Sequence, residues 1–136
     1  MGMCMDQMDA DFRIDKSQRR AALRAVQALH GSETVTYDSG PPHFRWVDHD
    51  FYEAKSLPAI LNAWGWATTS DAYNGDIVDI VFERSKIGDE DILFTALAPH
   101  VVAGSYIEVE CEGACGHDRW QWVFDGKTCQ RDYDFE

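Results

Sequence analysis

The C-terminal third of the chain alternates between apolar and polar residues. Three runs carry this pattern: residues 105–111, 119–124 and 127–133. A tight turn at 125–126 separates the last two runs. Trp120 and Trp122 are two residues apart, so both indoles lie on one face of a strand, and that face must be covered. The pattern predicts a three-stranded antiparallel meander with one buried side.

The rest of the chain predicts three helices, a hairpin and some short strands. The helices begin after Asp15, Ser56 and Gly88, and their apolar residues recur at helical spacing. An Asn74-Gly75 turn predicts a hairpin. The predicted strands outside the meander are residues 12–14, 34–37, 44–47, 66–69 and 77–83. Because hairpins outnumber crossovers, we expect an α+β fold: a mainly antiparallel sheet with about three helices packed on one face.

The length of 136 residues fits a single domain. Residues 1–11 are rich in Met and Asp, and we find no periodicity in them. We therefore expect residues 1–11 to be a flexible lead-in and residues 12–136 to form a single α+β domain.

The charge of the chain is strongly negative. It holds 12 Lys and Arg against 24 Asp and Glu, which gives a net charge of −12. Residues 32–136 alone hold 20 acidic and seven basic residues. Such a field repels nucleic acid and anionic membranes and attracts cationic partners. The same excess of charge could instead serve solubility alone.

The N-terminus predicts a cytoplasmic protein. It lacks the basic and apolar regions of a signal peptide, and no apolar run approaches the roughly 20 residues of a membrane span. The four cysteines lie at positions 4, 111, 115 and 129 and are expected to be reduced thiols.

Several short motifs in the second half of the chain are similar, in the same order, to motifs of a known group of proteins. They are residues 87–90, 93–94, 96–99, 104–108 and 120–124. Together they resemble a group of small bacterial and phage-encoded proteins with an LGDE…LF.A.AP…GSYIE…W.WVF signature, to which no activity is assigned. The resemblance implies an intracellular prokaryotic α+β domain and supplies no catalytic residue. The chain departs from the signature at residues 110–118, where a longer loop replaces a tight glycine-rich turn.

That loop is the best candidate for a metal site. Cys111, Cys115 and His117 cluster in sequence, and Cys129 on the next strand could approach Cys111. Three thiolates and an imidazole suit a tetrahedral structural zinc. The spacing argues against zinc, because only one residue separates Cys115 from His117. Ordinary reduced thiols are the alternative, and no other cofactor is expected.

The sequence contains no recognisable catalytic set. Asp48, His49 and Asp50 lie near His43, but they match no known metal or acid–base motif, and a solvated loop explains them. The acidic residues around Cys111 and Cys115 should raise a thiol pKa and so oppose thiol catalysis. We therefore predict that the protein has no catalytic residues and is not an enzyme.

The spaced carboxylates beside aromatic residues predict a partner-binding face. Its predicted members are Glu108, Glu110, Glu112, Asp118, Asp89, Glu90, Asp91 and Tyr106. The resulting hypothesis is a small acidic protein-binding domain, of inhibitor or immunity and counter-defence type, that docks on a basic protein that handles nucleic acid. It should contact neither nucleic acid nor membrane directly, and the oligomeric state stays open. The alternatives are a zinc-stabilised structural module and an enzyme of unrecognised type that uses Asp48, His49 or His117.

Overall fold

The computed structural model describes residues 3–33, 42–113 and 116–134. The strands are β1 (Met3–Asp11), β2 (Trp66–Ser70), β3 (Ile77–Phe82), β4 (Lys86–Ile87), β5 (Tyr106–Gly113), β6 (Gly116–Phe124) and β7 (Cys129–Asp132). The α-helices are α1 (Arg19–Gln27), α2 (Leu57–Ala63) and α3 (Glu90–Leu97). Among these residues no helix combines the length and the apolar character that a membrane crossing needs.

Five strands form one antiparallel sheet in the order β4-β1-β5-β6-β7, and β2 and β3 form a separate hairpin. The strands β5, β6 and β7 are consecutive and adjacent, which confirms the predicted meander. Within the described residues, the three helices and the mainly antiparallel sheet confirm the α+β class.

The expectation of a flexible lead-in at residues 1–11 is wrong for residues 3–11, because β1 lies between β4 and β5. Residues 1 and 2 lie outside the described residues. In β1, Met5 is buried, and the residue after the strand, Phe12, is also buried. A bulge between Gln7 and Asp9 shifts the pairing register with β5. This shift turns Asp9 outward, and Phe12 still reaches the core.

One glutamine side chain joins the two sheets. The Gln7 amide donates from Nε2 to the carbonyl of Ile80 (2.9 Å), and its Oε1 accepts from the backbone N–H of Phe82 (2.7 Å). A backbone bridge between Ile14 and Ile77 adds a second link. The Gln7 amide therefore makes the two hydrogen bonds to β3 that the N–H and C=O of a neighbouring strand would make in a sheet. Through them β3 lies next to β1.

Helix α3 packs against the five-stranded sheet, α2 packs against β2, and α1 packs against α2 and α3. An aromatic cluster fills the space between α3, the five-stranded sheet and β2. In this cluster Phe94 lies 4.8 Å from Trp122 and 5.3 Å from Trp66, measured between ring centroids. Phe12 packs edge-on against Phe124 at 5.6 Å. The predicted burial of Trp120 and Trp122 on one side of a strand is thereby confirmed.

Local signals were correct at some element ends and wrong at others. The Ser56 side chain accepts from the N–H of Ala59, as a helix cap does. Asp15 makes no such bond, and Asp76 accepts from the N–H of Lys16 instead (2.8 Å). The strand predicted at 44–47 is wrong, since this segment is a turn. The strand predicted at 34–37 lies outside the described residues.

Candidate functional site

The five-stranded sheet has a second face, opposite the helices, which we call the outer face. Because side chains alternate along a strand, the residues on this face follow from the buried positions between them. They are Asp6, Asp9 and Asp11 on β1, Tyr106, Glu108 and Glu110 on β5, Arg119, Gln121 and Val123 on β6, and Gln130 and Asp132 on β7. Among these residues there are six carboxylates and one guanidinium, and Lys86 of β4, opposite Cys4, adds one ammonium group to the same face.

The register places carboxylates directly opposite one another. Asp6 faces Glu110, and Asp9 faces Glu108, across the β1–β5 ladder. Like charges in such pairs destabilise a sheet, so their presence has a cost in folding free energy. Arg119 offsets part of this cost through a 2.9 Å ion pair between its Nη2 and Oε2 of Glu108.

Tyr106 belongs to the same array. Its hydroxyl donates to Oδ2 of Asp9 at 2.8 Å, which ties β5 to β1 on the outer face. This hydrogen bond raises the pKa of the Tyr106 phenol, and the nearby charges of Asp9, Asp11 and Glu108 act in the same direction. The phenol is therefore a neutral donor within a negative surface.

The structure brings together only part of the predicted binding face. Tyr106, Glu108 and Glu110 share the outer face, as expected. Asp118 does not, because its partner across the ladder is the buried Cys111, which places both on the helix side of the sheet. The backbone of Glu112 pairs with Cys4 at the end of the outer face, and its side chain lies outside the described set.

Asp89, just before α3, and Asp91, in its first turn, bind groups of the protein itself on the helix side. Asp89 accepts from the backbone N–H of Arg45 at 2.8 Å. Asp91 accepts from the indole N–H of Trp122 at 2.8 Å and from two nitrogens of Arg131, each at 2.9 Å. Their assignment to a partner-binding face with β5 is therefore wrong, since they fasten α3 to its neighbours.

Glu90, the third of these acids, is buried, with 2% of its surface exposed. Its Oε1 accepts from the N–H of Gly88 at 2.7 Å, and its Oε2 lies 3.4 Å from the indole nitrogen of Trp66. Burial raises the pKa of Glu90 to about 7, against the lowering effect of the hydrogen bonds from Gly88 and Trp66. A partner cannot reach this carboxyl group in the folded protein.

Asp6, Asp9 and Asp11 supply half of the carboxylates on the outer face and were not among the predicted site residues. The signal for two of them is present, because Asp9 and Asp11 alternate with Ala10 and Phe12. This four-residue alternation predicts a strand with an acidic side.

The structure separates two of the predicted metal ligands. Cys111 lies opposite Asp118 and Cys129 lies opposite Phe124, six residues further along β6. At about 3.3 Å per residue this is roughly 20 Å, so the expected approach of the two thiols is wrong. Burial raises the pKa of Cys111 to about 11 and that of Cys129 to about 12, so both stay protonated near pH 7.

The rest of the predicted zinc set, Cys115 and the His117 side chain, lies outside the part of the chain that the structure describes. Within that part, no group of three or more His, Cys, Asp and Glu side chains is placed to hold a metal ion. Zinc stays a prediction, which metal analysis of protein purified without added zinc tests.

A cleft of about 430 Å³ lies beside the Asp48-His49-Asp50 segment. Its lining includes His30, Glu33, His49, Asp50 and Tyr52. The predicted His49 therefore does lie in a concave site. Asp48 points elsewhere, to a 3.2 Å ion pair with Arg84.

One imidazole in this cleft is held by a carboxylate. His30 Nδ1 lies 2.7 Å from Oε2 of Glu33, and its ring stacks on Tyr52 with 3.6 Å between centroids. Burial works to raise the pKa of Glu33, but hydrogen bonds from His30 and the Gly31 N–H outweigh it, so the pKa is lowered. A carboxylate that is hydrogen-bonded to Nδ1 fixes the orientation of an imidazole, so that Nε2 can exchange a proton with a ligand or accept a hydrogen bond from it.

The basic residues before and within α1 do not neutralise the outer face through their observed contacts. Arg13 forms a 3.0 Å ion pair with Asp76, and Arg19 donates to the carbonyl of Gly75 (2.8 Å) and to Ser70. These contacts go to the last residue of β2 and to the loop between β2 and β3.

Chemically, the outer face can accept hydrogen bonds and attract positive charge over a broad area. The cleft beside His30 is smaller and could hold a small polar molecule. No protein-family model, curated protein or solved structure matches the chain.

Proposed function

We propose that this protein is a cytoplasmic binding domain that docks its outer face on a basic protein partner. The observation that carries the proposal is the in-register array of carboxylates on adjacent strands of the outer face, which are exposed on β1 and partly exposed on β5. Asp6, Asp9 and Asp11 lie beside Glu108 and Glu110 in this array. A folded chain keeps opposed carboxylates at a cost in stability, and a cationic partner would offset that cost on binding.

The spacing of the array suits a partner that handles nucleic acid. Along a strand, side chains on one face repeat about every 6.6–6.8 Å, and neighbouring strands are about 4.8 Å apart. Protein grooves that bind nucleic acid present Lys and Arg to closely spaced phosphates. A rigid sheet of carboxylates can occupy such a groove, which would make the protein an inhibitor of its partner. The resemblance to bacterial and phage proteins supports an immunity or counter-defence setting.

Binding to a purified partner tests this proposal. The immobilised protein is used to recover basic proteins from a bacterial lysate, and the recovered partner is then purified and titrated at several salt concentrations. We expect affinity to fall steeply as salt rises and duplex DNA to compete.

A matched pair of variants locates the interface. Asp6→Asn with Glu110→Gln removes two charges from the outer face. Asp118→Asn with Glu53→Gln removes two charges elsewhere. The first variant should weaken binding about tenfold or more, and the second should leave it within about threefold. Equal effects of the two variants, or affinity that ignores salt, would contradict the proposal.

The cleft beside His30 supports a second candidate, a small-molecule site with acid–base capacity. The supporting observation is the His30–Glu33 pair inside a 430 Å³ cleft. A fragment panel followed by amide chemical shifts tests it. Shifts that cluster at His30, His49 and Tyr52 and vanish in Glu33→Gln support this candidate, and shifts scattered over the surface count against it.

A further inference from the structure

Trp46 differs from the other four tryptophans of the chain. It is 45% exposed, whereas Trp64, Trp66, Trp120 and Trp122 are at most 1% exposed. Its φ angle is +62°, and it is the one non-glycine residue with positive φ among those the structure describes. For a bulky side chain this backbone conformation is strained. Strain of this kind concentrates at functional sites.

The surrounding residues hold the Trp46 turn in place. The Arg84 Nη1 donates to the carbonyl of Trp46 at 2.6 Å, and Asp89 accepts from the N–H of Arg45. Gly88 lets the two segments meet, because a Cβ atom there would lie 2.4 Å from the Cβ of Arg45. The turn is therefore fixed from both sides, and the indole is presented at the surface.

Trp46 lies at the β4 edge of the outer face. Lys86 pairs with Cys4 across the β1–β4 ladder, so its side chain emerges on the same face as Cys4 and Asp6. The Lys86 Nζ is 5.2 Å from the centroid of the Trp46 ring. A cleft of about 310 Å³ opens here, lined by the indole together with Val47, Asp48, Arg84, Ser85 and Lys86.

We propose that this cleft receives an apolar side chain of the partner that docks on the outer face. The inference rests on the proposed function and adds a specificity element to it. Trp46 and Val47 line the cleft with apolar surface, and Asp48 compensates the charge of Arg84 through their 3.2 Å ion pair. The remaining charge, on Lys86, repels the cationic side chains that the rest of the face attracts. A basic segment that crosses the face must therefore present an uncharged residue at this edge, which fixes how the segment is aligned.

Two synthetic peptides test this inference. Each has about twelve residues with arginine at alternate positions, and they differ only in a central leucine or alanine. The wild-type protein should bind the leucine peptide about tenfold more tightly, because the cleft buries the leucine side chain. Both peptides should show the same dependence on salt, since the leucine adds no charge.

Three variants locate the effect. Trp46→Ala and Trp46→Gly should bind both peptides with equal affinity. Glycine adopts positive φ without strain, so Trp46→Gly should unfold at a higher temperature than Trp46→Ala, which separates loss of the cleft from loss of the fold. Tyr73→Ala removes another aromatic residue, 99% exposed on the β2–β3 loop, and should keep the tenfold preference.

The outcomes separate the two proposals. Wild-type protein that binds both peptides equally would overturn the cleft inference and leave the acidic docking face standing. Binding of neither peptide would count against both. A tenfold preference that survives Trp46→Gly would also overturn the inference, because the indole would then contribute nothing.

Discussion

Replacement of Glu90 by glutamine should change how the stability of this protein depends on pH. The folded protein holds the Glu90 carboxyl with a pKa raised from 4.5 to about 7, mainly through burial. The unfolded chain releases this proton near pH 4.5. Between pH 4.5 and 7 the folded state therefore keeps a proton that the unfolded state has lost, and the free energy of unfolding falls as pH rises. Well above pH 7 Glu90 is ionised in both states, so its contribution to the free energy of unfolding no longer changes with pH.

The size of the effect follows from the two pKa values. A difference of about 2.5 pKa units corresponds to roughly 3 kcal/mol, of which about 2 to 3 kcal/mol falls between pH 5 and 8. This is a large share of the 5–15 kcal/mol that stabilises a typical domain. Glutamine cannot ionise, so the Glu90→Gln variant should lack this component while still accepting a hydrogen bond from Gly88.

Urea unfolding at pH 5, 6, 7 and 8, followed by tryptophan fluorescence, measures the effect in both proteins. The quantity to compare is the difference in unfolding free energy between the variant and the wild type. Other carboxylates, including Asp71 and Asp125 with their lowered pKa values, are present in both proteins and cancel. The difference should move by about 2 to 3 kcal/mol in favour of the variant from pH 5 to pH 8. A difference that stays constant within about 0.5 kcal/mol would refute the reasoning, as would a Glu90 carboxyl NMR signal that titrates near pH 4.5.

Three further predictions concern the fold. Gln7→Ala leaves backbone groups of β3 without their amide partner and should lower the free energy of unfolding by about 1–3 kcal/mol in urea, whereas Gln130→Ala on the exposed edge should change it by less than about 0.5 kcal/mol. Gly88→Ala forces a Cβ to within 2.4 Å of the Arg45 side chain and should cost about 1–3 kcal/mol in the same assay. Deletion of residues 1–11 removes a strand from inside the sheet, so the amide NMR spectrum should lose its dispersion; an unchanged spectrum and melting temperature would show that β1 is dispensable.

Short-range patterns were enough to predict several elements. Strict alternation of apolar and polar residues at 105–111 and 119–124 was enough to predict β5 and β6, because one face of each strand is apolar at every second residue. Ser56 marked the start of α2 for an equally local reason, since its cap bond spans three residues.

The first strand shows where local patterns fail. The bulge in β1 breaks the period of two at Met8, so Met5 and Phe12 no longer belong to one continuous alternation. The central position of β1 in the sheet comes from its pairing with β5, about 100 residues away in sequence, and no local pattern records that pairing. For the same reason the contribution of Asp6, Asp9 and Asp11 to the outer face was not foreseen.

By itself the sequence determined the negative charge of this protein, the α+β class and the two-sided character of β5 and β6, because composition and local alternation are properties of neighbouring residues. Only the tertiary structure decided which carboxylates lie side by side. Strand order and register placed the aspartates of β1 beside Glu108 and Glu110, turned Asp118 to the opposite side and buried Glu90. Those outcomes depend on contacts between distant segments, and such contacts determine whether a charged group faces solvent, a partner or the core.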